Sequence, residues 1–177
     1  MHELLGLDYK KIVPIPVHGN SERCLVQRQQ CAIKFLGLLQ TGKRIINIDE
    51  SWVDSGDYRR RCWQRKGLSP SLPVKKVAPR ITLIVAIDTL GKLYASLLQA
   101  NSDSDTFQLF MSELVKTLDW EDRNWRKNTV IMWDGAGYHE ATEVLQLMQQ
   151  QRVPLMFLGP YSYHMAPAEM VFAALKV

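Results

Sequence analysis

The period of hydrophobic and polar positions changes several times along this chain, and each change marks an element. Residues 1–20 hold two X-Pro steps (Pro14, Pro16) and His18-Gly19-Asn20, the pattern of an extended lead-in. Ser21 is placed to cap a helix over roughly 22–40. Its apolar positions Leu25, Arg28 (as a stem), Cys31/Ala32, Phe35/Leu36 and Leu39 recur at helical spacing, and Thr41-Gly42 ends it. Ile45 to Asp49 is short and β-branched, as a buried strand is. Ile81 to Asp88 is the strongest strand signal. Asp88 reads as a turn residue ahead of Thr89-Leu90-Gly91-Lys92, which leads to a partner strand, Leu93 to Leu98.

A polar cluster, Asn101-Ser102-Asp103-Ser104, precedes a helix of about 105–118 with Phe107, Phe110/Met111, Leu114 and Leu118 on its inner face. A strand at Thr129–Trp133, a helix over about 140–151 (Ala141, Val144/Leu145, Met148) and a strand at Val153–Leu158 follow. Pro167, a favoured first helical residue, opens the last helix. Strands separated by helices predict an α/β fold, a mixed sheet flanked by helices in the order β-β-β-α-β-α-β-α. At 177 residues the chain has the length of one domain with a full core. We divide it into an N-terminal lead-in and linker helix, 1–43, and a main domain, 44–177. Only eight residues follow Glu169, so the last helix is expected to be truncated.

Composition excludes more than it selects. No apolar run is long enough to span a bilayer, and Met1-His2-Glu3 does not begin a signal peptide. Cys24, Cys31 and Cys62 show no Cys-x-x-Cys spacing, which argues against a disulfide framework or a zinc site and for an intracellular, reducing compartment. The net charge of +4 hides an asymmetry. Arg59, Arg60, Arg61, Arg65, Lys66, Lys75, Lys76 and Arg80 fall in one stretch with no acidic residue, while the rest of the chain is net acidic. Interleaved with Tyr58 and Trp63, that stretch suits a polyanion such as DNA; the alternative is a solvated basic hairpin.

The candidate chemistry lies in three carboxylates. Arg44-Ile45-Ile46-Asn47-Ile48-Asp49 and Thr129-Val130-Ile131-Met132-Trp133-Asp134 each deliver an Asp at or near the end of a strand-like run. Glu169 lies one turn into the last helix, with 34 residues between it and Asp134. In open α/β sheets ligands gather beyond the C-terminal ends of strands, so Asp49 and Asp134 can converge. Carboxylate oxygens suit hard cations such as Mg²⁺ or Mn²⁺, and two such ions can activate a nucleophile and stabilise the leaving oxygen in phosphodiester transfer. Glu50, next to Asp49, should point to the other face of its strand.

The surrounding residues carry a resemblance. Asp49-Glu50-Ser51, Trp63-Gln64-Arg65-Lys66-Gly67 with Pro70, Trp133-Asp134-Gly135-Ala136-Gly137-Tyr138-His139 and Pro160-Tyr161-Ser162…Pro167-Ala168-Glu169 occur in the order and spacing of mariner-type and insertion-sequence transposase catalytic domains. The chain resembles these Asp-Asp-Glu enzymes from about Arg28 to its end. The resemblance implies a ribonuclease-H-like fold and DNA strand cleavage and transfer, with Asp49, Asp134 and Glu169 as catalytic ligands of two Mg²⁺ (or Mn²⁺) ions. It implies DNA, both transposon ends and target, as the partner, with a homodimer as an option, no membrane, and the nucleus as the location in a eukaryote. It also implies a substrate-facing role for the Arg59–Gly67 region, and supporting roles for His139, Tyr161 and Ser162 beside the ligands.

The pattern departs from the family in places. Gly135 stands where the family usually has Asn, and Ala166 replaces the Asn ahead of Pro167, removing a side-chain cap worth about 1 kcal/mol at the helix carrying Glu169. Residues 1–20 are too short for the helix-turn-helix module of family members. Two other readings stay open at this level: a non-catalytic transposase remnant that binds nucleic acid or protein, and a ribonuclease-H-like nuclease that never transposes.

Overall fold

The computed structural model describes residues 16–53, 67, 81–99 and 101–175. A 3-10 turn, Val17–Asn20, leads into α1 (Glu22–Gln40). Three strands follow: β1 (Arg44–Val53), β2 (Ile81–Asp88) and β3 (Leu93–Leu98). The rest alternates: α2 (Ser104–Glu121), the short α3 (Trp125–Asn128), β4 (Thr129–Trp133), α4 (Thr142–Gln150), β5 (Leu155–Phe157) and α5 (Ala168–Leu175). The sheet order is β3-β2-β1-β4-β5. β1, β2 and β3 pair antiparallel, and β4 joins β1 and β5 in parallel. This is the mixed, helix-flanked sheet that the pattern predicts.

Strand side chains alternate between faces, and here both faces are covered. Ile46, Ile48, Ile84, Ile131 and Trp133 point to one side, into a core closed by Phe107, Met111 and Leu118 of α2 and Val144 and Met148 of α4. Ile45, Met132 and Met156 point to the other, where α1 packs through Cys31, Phe35 and Leu38. Beside α1 on that second face, Leu83 and Val85 meet Ala168 and Phe172 of α5. Helices α1 and α5 therefore lie over the same side of the sheet.

Several boundaries differ from the sequence reading. β1 does not end at Asp49; it continues to Val53 because β2 pairs with it from Ile46↔Asp88 to Val53↔Ile81. The α1 face is partly rotated: Cys31 and Phe35 face inward as expected and Leu38 joins them, while Leu25, Leu36 and Leu39 are exposed. Apolar residues lie on more than one side of this helix, so spacing alone does not select the buried one. Ser21 occupies the N-cap position of α1 without a side-chain capping bond. α2 is longer than expected, and starts from a capping box between Asp103 and Thr106. Helix α3 was not legible in the pattern; it buries Trp125, whose indole N–H donates to Asp119 at 2.8 Å. Pro167 sits just before α5 rather than inside it, a shift within the spread of helix-end assignments. Asp88 is the turn residue expected: its Oδ1 accepts from Leu90 N (2.9 Å) and Lys92 N (2.7 Å), and its Oδ2 receives Arg44 Nε at 2.7 Å. Among the described residues no helix is long and apolar enough to cross a membrane.

Candidate active site

The parallel seam between β1 and β4 sets the geometry of the site. Asn47 lies opposite Met132 in the last registered pair. Two residues further along come Asp49, within β1, and Asp134, just beyond the end of β4, and both line the same cleft. That cleft lies on the face that α5 covers, and Glu169 stands in the first turn of α5. Asp49, Asp134 and Glu169 all line one cleft of about 1240 Å³, walled on its far side by α1 through Gln27, Gln30 and Lys34.

Glu50 turns to the opposite face, as strand alternation requires, and is buried there with its side chain 5% exposed. It meets His139, itself 1% exposed. The two imidazole nitrogens face two carboxylates: Nδ1–H donates to Asp134 Oδ1 at 2.7 Å, and Nε2–H donates to Glu50 at 2.9 and 3.0 Å. Tyr138 O–H donates to Glu50 Oε2 at 3.2 Å. The rings of Phe107 and Tyr138 lie 4.2 and 4.4 Å from the imidazole, centroid to centroid. Ala136 N–H adds a bond of 3.1 Å to Asp134 Oδ1.

A family model described as DDE superfamily endonuclease matches residues 44–177, most of the chain. The chain belongs to the DDE superfamily endonucleases. Solved structures agree on the fold. The Mos1 transposase paired-end complex with the left transposon end superposes with a TM-score of 0.73 at 20% identity, covering 99% of this chain and 54% of that one. The Mos1 mariner paired-end complex with Mn gives 0.73 at 20% identity, covering 95% and 52%. The catalytic domain of Mos1 mariner transposase gives 0.66 at 19% identity, covering 93% and 74%. This DDE endonuclease thus spans about half the length of the transposase chains in the paired-end complexes. A comparison with curated protein sequences finds no match.

Electrostatics separates the two Asp residues of this DDE endonuclease. The His139 hydrogen bond holds the Asp134 carboxyl below the usual carboxylate range, against some desolvation. Asp49 goes the other way, to about 7. Burial is the main cause; the Glu50 N–H bond (2.8 Å) opposes it, and the charges of Glu169, Asp134 and Glu50 add to it. Burial alone would lower His139, but its bonds to Asp134 and Glu50 outweigh that and raise it to about 9. The imidazole is therefore a cation at neutral pH, with both N–H groups donating. Tyr138 is raised, first by burial and then by the Glu50 charge beside it.

The other residues singled out in the sequence fall unevenly. Tyr161 and Ser162 both line the cleft. Tyr161 adopts a left-handed backbone (φ 58°), and its hydroxyl bonds His18 Nε2. Ser162 is buried, and its Oγ has no hydrogen-bond partner among the described residues. Arg59, Arg60, Arg61, Arg65, Lys66, Lys75 and Lys76, and Trp63 with them, lie outside the described residues. Ala166 leaves the start of α5 without a capping side chain of its own, but the loosening expected from this is offset because Asn47 supplies an acceptor from β1. Sequence reasoning missed Asn47 and Tyr138. Period-two alternation from Asp49 would have placed Asn47 on the same face as the carboxylate; nothing local marks Tyr138.

The donor set suits a hard divalent cation. All three cleft carboxylates offer oxygen ligands, and the charges acting on Asp49 are themselves carboxylates, so a cation is what would relieve it. Among the described residues no three His, Cys, Asp or Glu side chains converge tightly enough to enclose an ion as they stand.

Proposed function

We propose that this chain is the catalytic domain of a transposase that cleaves and joins DNA strands with two divalent cations, Mg²⁺ or Mn²⁺, held by Asp49, Asp134 and Glu169. The observation that carries this reading is the meeting of those three carboxylates, drawn from β1, β4 and α5, in one cleft. Membership of the DDE endonucleases supports it, and so does the likeness to Mos1 transposase, whose structures are described with Mn, with Mg and with a transposon end. When bound, such ions lower the pKa of an attacking water or 3′-OH and stabilise the departing oxygen. The chain's own residues do the positioning. His139 holds Asp134 ionised and fixed in direction, and Glu50 and Tyr138 hold His139. The Arg59–Lys76 basic residues supply phosphate contacts, so DNA binding is strongly salt-dependent. Transposon ends and target DNA are the partners, a homodimer is the assembly for pairing two ends, and in a eukaryotic host the work is done in the nucleus.

The test is a supercoiled-plasmid nicking assay with Mg²⁺ or Mn²⁺, EDTA, and Asp134→Asn as the comparison. Cation-dependent nicking lost in the variant is expected. Nicking unchanged by Asp134→Asn would refute the site. Replacing Arg59, Arg60 and Arg61 together should flatten the slope of log affinity against log salt by about three.

A further inference from the structure

We propose that Asn47 is the positioning residue that sets Glu169 in register with Asp49 and Asp134. The inference rests on the reading of those three carboxylates as the cation ligands. Asn47 is 1% exposed, and both ends of its amide are used. Its Oδ1 accepts from the main-chain N–H of Ala168 at 3.0 Å, and its Nδ2 donates to the main-chain oxygen of Met132 at 3.3 Å. The partners dictate the orientation of the amide, since one can only donate and the other can only accept.

The positions of these contacts matter more than their number. Asn47 lies two residues before Asp49 on the same face of β1. Met132 lies two residues before Asp134 in β4, and Ala168 immediately precedes Glu169. One side chain therefore touches all three elements that carry the carboxylates, each within two residues of the carboxylate it carries.

The start of α5 needs this contact. Ala166 and Pro167 have no side-chain acceptor to offer. Main-chain oxygens satisfy the next two donors, Glu169 N to Ala166 O at 3.1 Å and Met170 N to Pro167 O at 3.0 Å. Ala168 is fully buried, so its N–H would have no water to turn to without Asn47. Among the described residues the core contacts of α5 are apolar, through Ala168 and Phe172 on Leu83 and Val85, and such contacts fix distance from the sheet more firmly than position along it. A directional bond at the first turn supplies the missing coordinate. Leucine, with the same branched heavy-atom shape, would fill the space and supply neither bond.

The test measures Mn²⁺ binding to the full chain by calorimetry, together with amide hydrogen exchange in metal-free protein. Asn47→Leu is compared with Ala168→Pro, which removes the donor from the other side and suits a first helical position. Leu114→Ala, in the α2 core on the opposite face, is the control for lost stability. Expected results are at least tenfold weaker Mn²⁺ binding in both test variants and faster exchange at Glu169 and Met170. The control should keep wild-type affinity at a comparable loss of Tm. If Asn47→Leu does not fold, Ala168→Pro carries the test alone. Mn²⁺ affinity within twofold of wild type in a folded test variant, or an equal loss in the control, overturns the role of Asn47 and leaves the ligand assignment standing. Wild-type protein whose Mn²⁺ binding is absent, or unchanged by Asp134→Asn, overturns the ligand assignment and the Asn47 proposal with it.

Discussion

Asp49→Asn should stabilise the metal-free protein above neutral pH while removing its response to divalent cations. Asp49 titrates at about 7 in the folded chain against 3.8 as a free side chain. A raised carboxyl contributes stability that is whole below 3.8 and is lost as the pH rises through about 7, because the folded state then has to ionise a buried group among carboxylates. At 1.36 kcal/mol per pH unit the ceiling on that loss is about 4 kcal/mol. Asp49 is only partly buried, so solvent screening reduces the expected value to about 2 kcal/mol. Asn keeps an oxygen for the Glu50 N–H bond and carries no charge, so the substitution removes the penalty without opening a cavity.

Urea denaturation in EDTA reads this directly. The variant should exceed wild type by about 2 kcal/mol at pH 8, and the gap should shrink towards zero by pH 4. His139 and Asp134 titrate in both proteins and largely cancel in the comparison. Adding Mn²⁺ at pH 8 should stabilise wild type and leave the variant unmoved. A variant no more stable than wild type at pH 8, or a gap that does not depend on pH, would refute the picture of an uncompensated carboxylate facing the cleft.

Three further outcomes follow from single contacts. His139→Ala leaves the buried Glu50 carboxylate, among the described residues, with the Tyr138 hydroxyl as its side-chain donor and should cost about 3–5 kcal/mol at pH 7 in chemical denaturation. His139 is raised from 6.5 to about 9, so its contribution is whole below pH 6.5 and is lost as the pH rises through about 9; the wild-type stability curve should fall across that window and the variant's should not. Gly159→Ala would place a Cβ 3.0 Å from the Arg28 Cα, main chain that cannot swing aside, and should lower stability by about 1–3 kcal/mol by prising α1 from the cleft wall. Asp103→Ala removes the side-chain half of the α2 capping box, the acceptor for Thr106 N–H, far from the cleft, and should cost about 1 kcal/mol in thermal melts without changing Mn²⁺ affinity.

The sheet was legible in the sequence wherever one physical rule decided the outcome. Ile81 to Asp88 could be nothing but a strand, and the polar cluster Asn101-Ser102-Asp103-Ser104 announced the start of α2. Asp49 and Asp134 were legible for the same reason: each follows an apolar strand-like run, and a parallel seam brings such positions level. Helix α1 was only half legible in its facing: Cys31 and Phe35 stood among the expected apolar positions, but Leu25, Leu36 and Leu39 are as apolar as the Leu38 that the sheet selects. Nor could the sequence show that Glu50 and His139, 89 positions apart, form a pair. A carboxylate and an imidazole each suit solvent equally well, and it is the packing of Phe107 and Tyr138 against the ring that removes that option.

The least legible residues are also the ones that reconcile the site with folding. Asp134 and Glu169 are exposed to the cleft, and with Asp49 they repel one another in the absence of a cation. A sheet seam carrying that repulsion needs attachment from elsewhere, and it has it on both faces. On the cleft side the Asn47 amide ties β1 to β4 and to α5. On the opposite side the His139 cation joins Glu50 of β1 to Asp134 just beyond β4. Both connectors are buried, where hydrogen bonds are least exchangeable with water and a lost partner costs most. The carboxylates can therefore stay open to solvent, ready for ligands, because their placement is held by groups that solvent does not reach. Substitutions at the cleft carboxylates should accordingly change cation response with little loss of fold, and substitutions at Asn47 or His139 should change both.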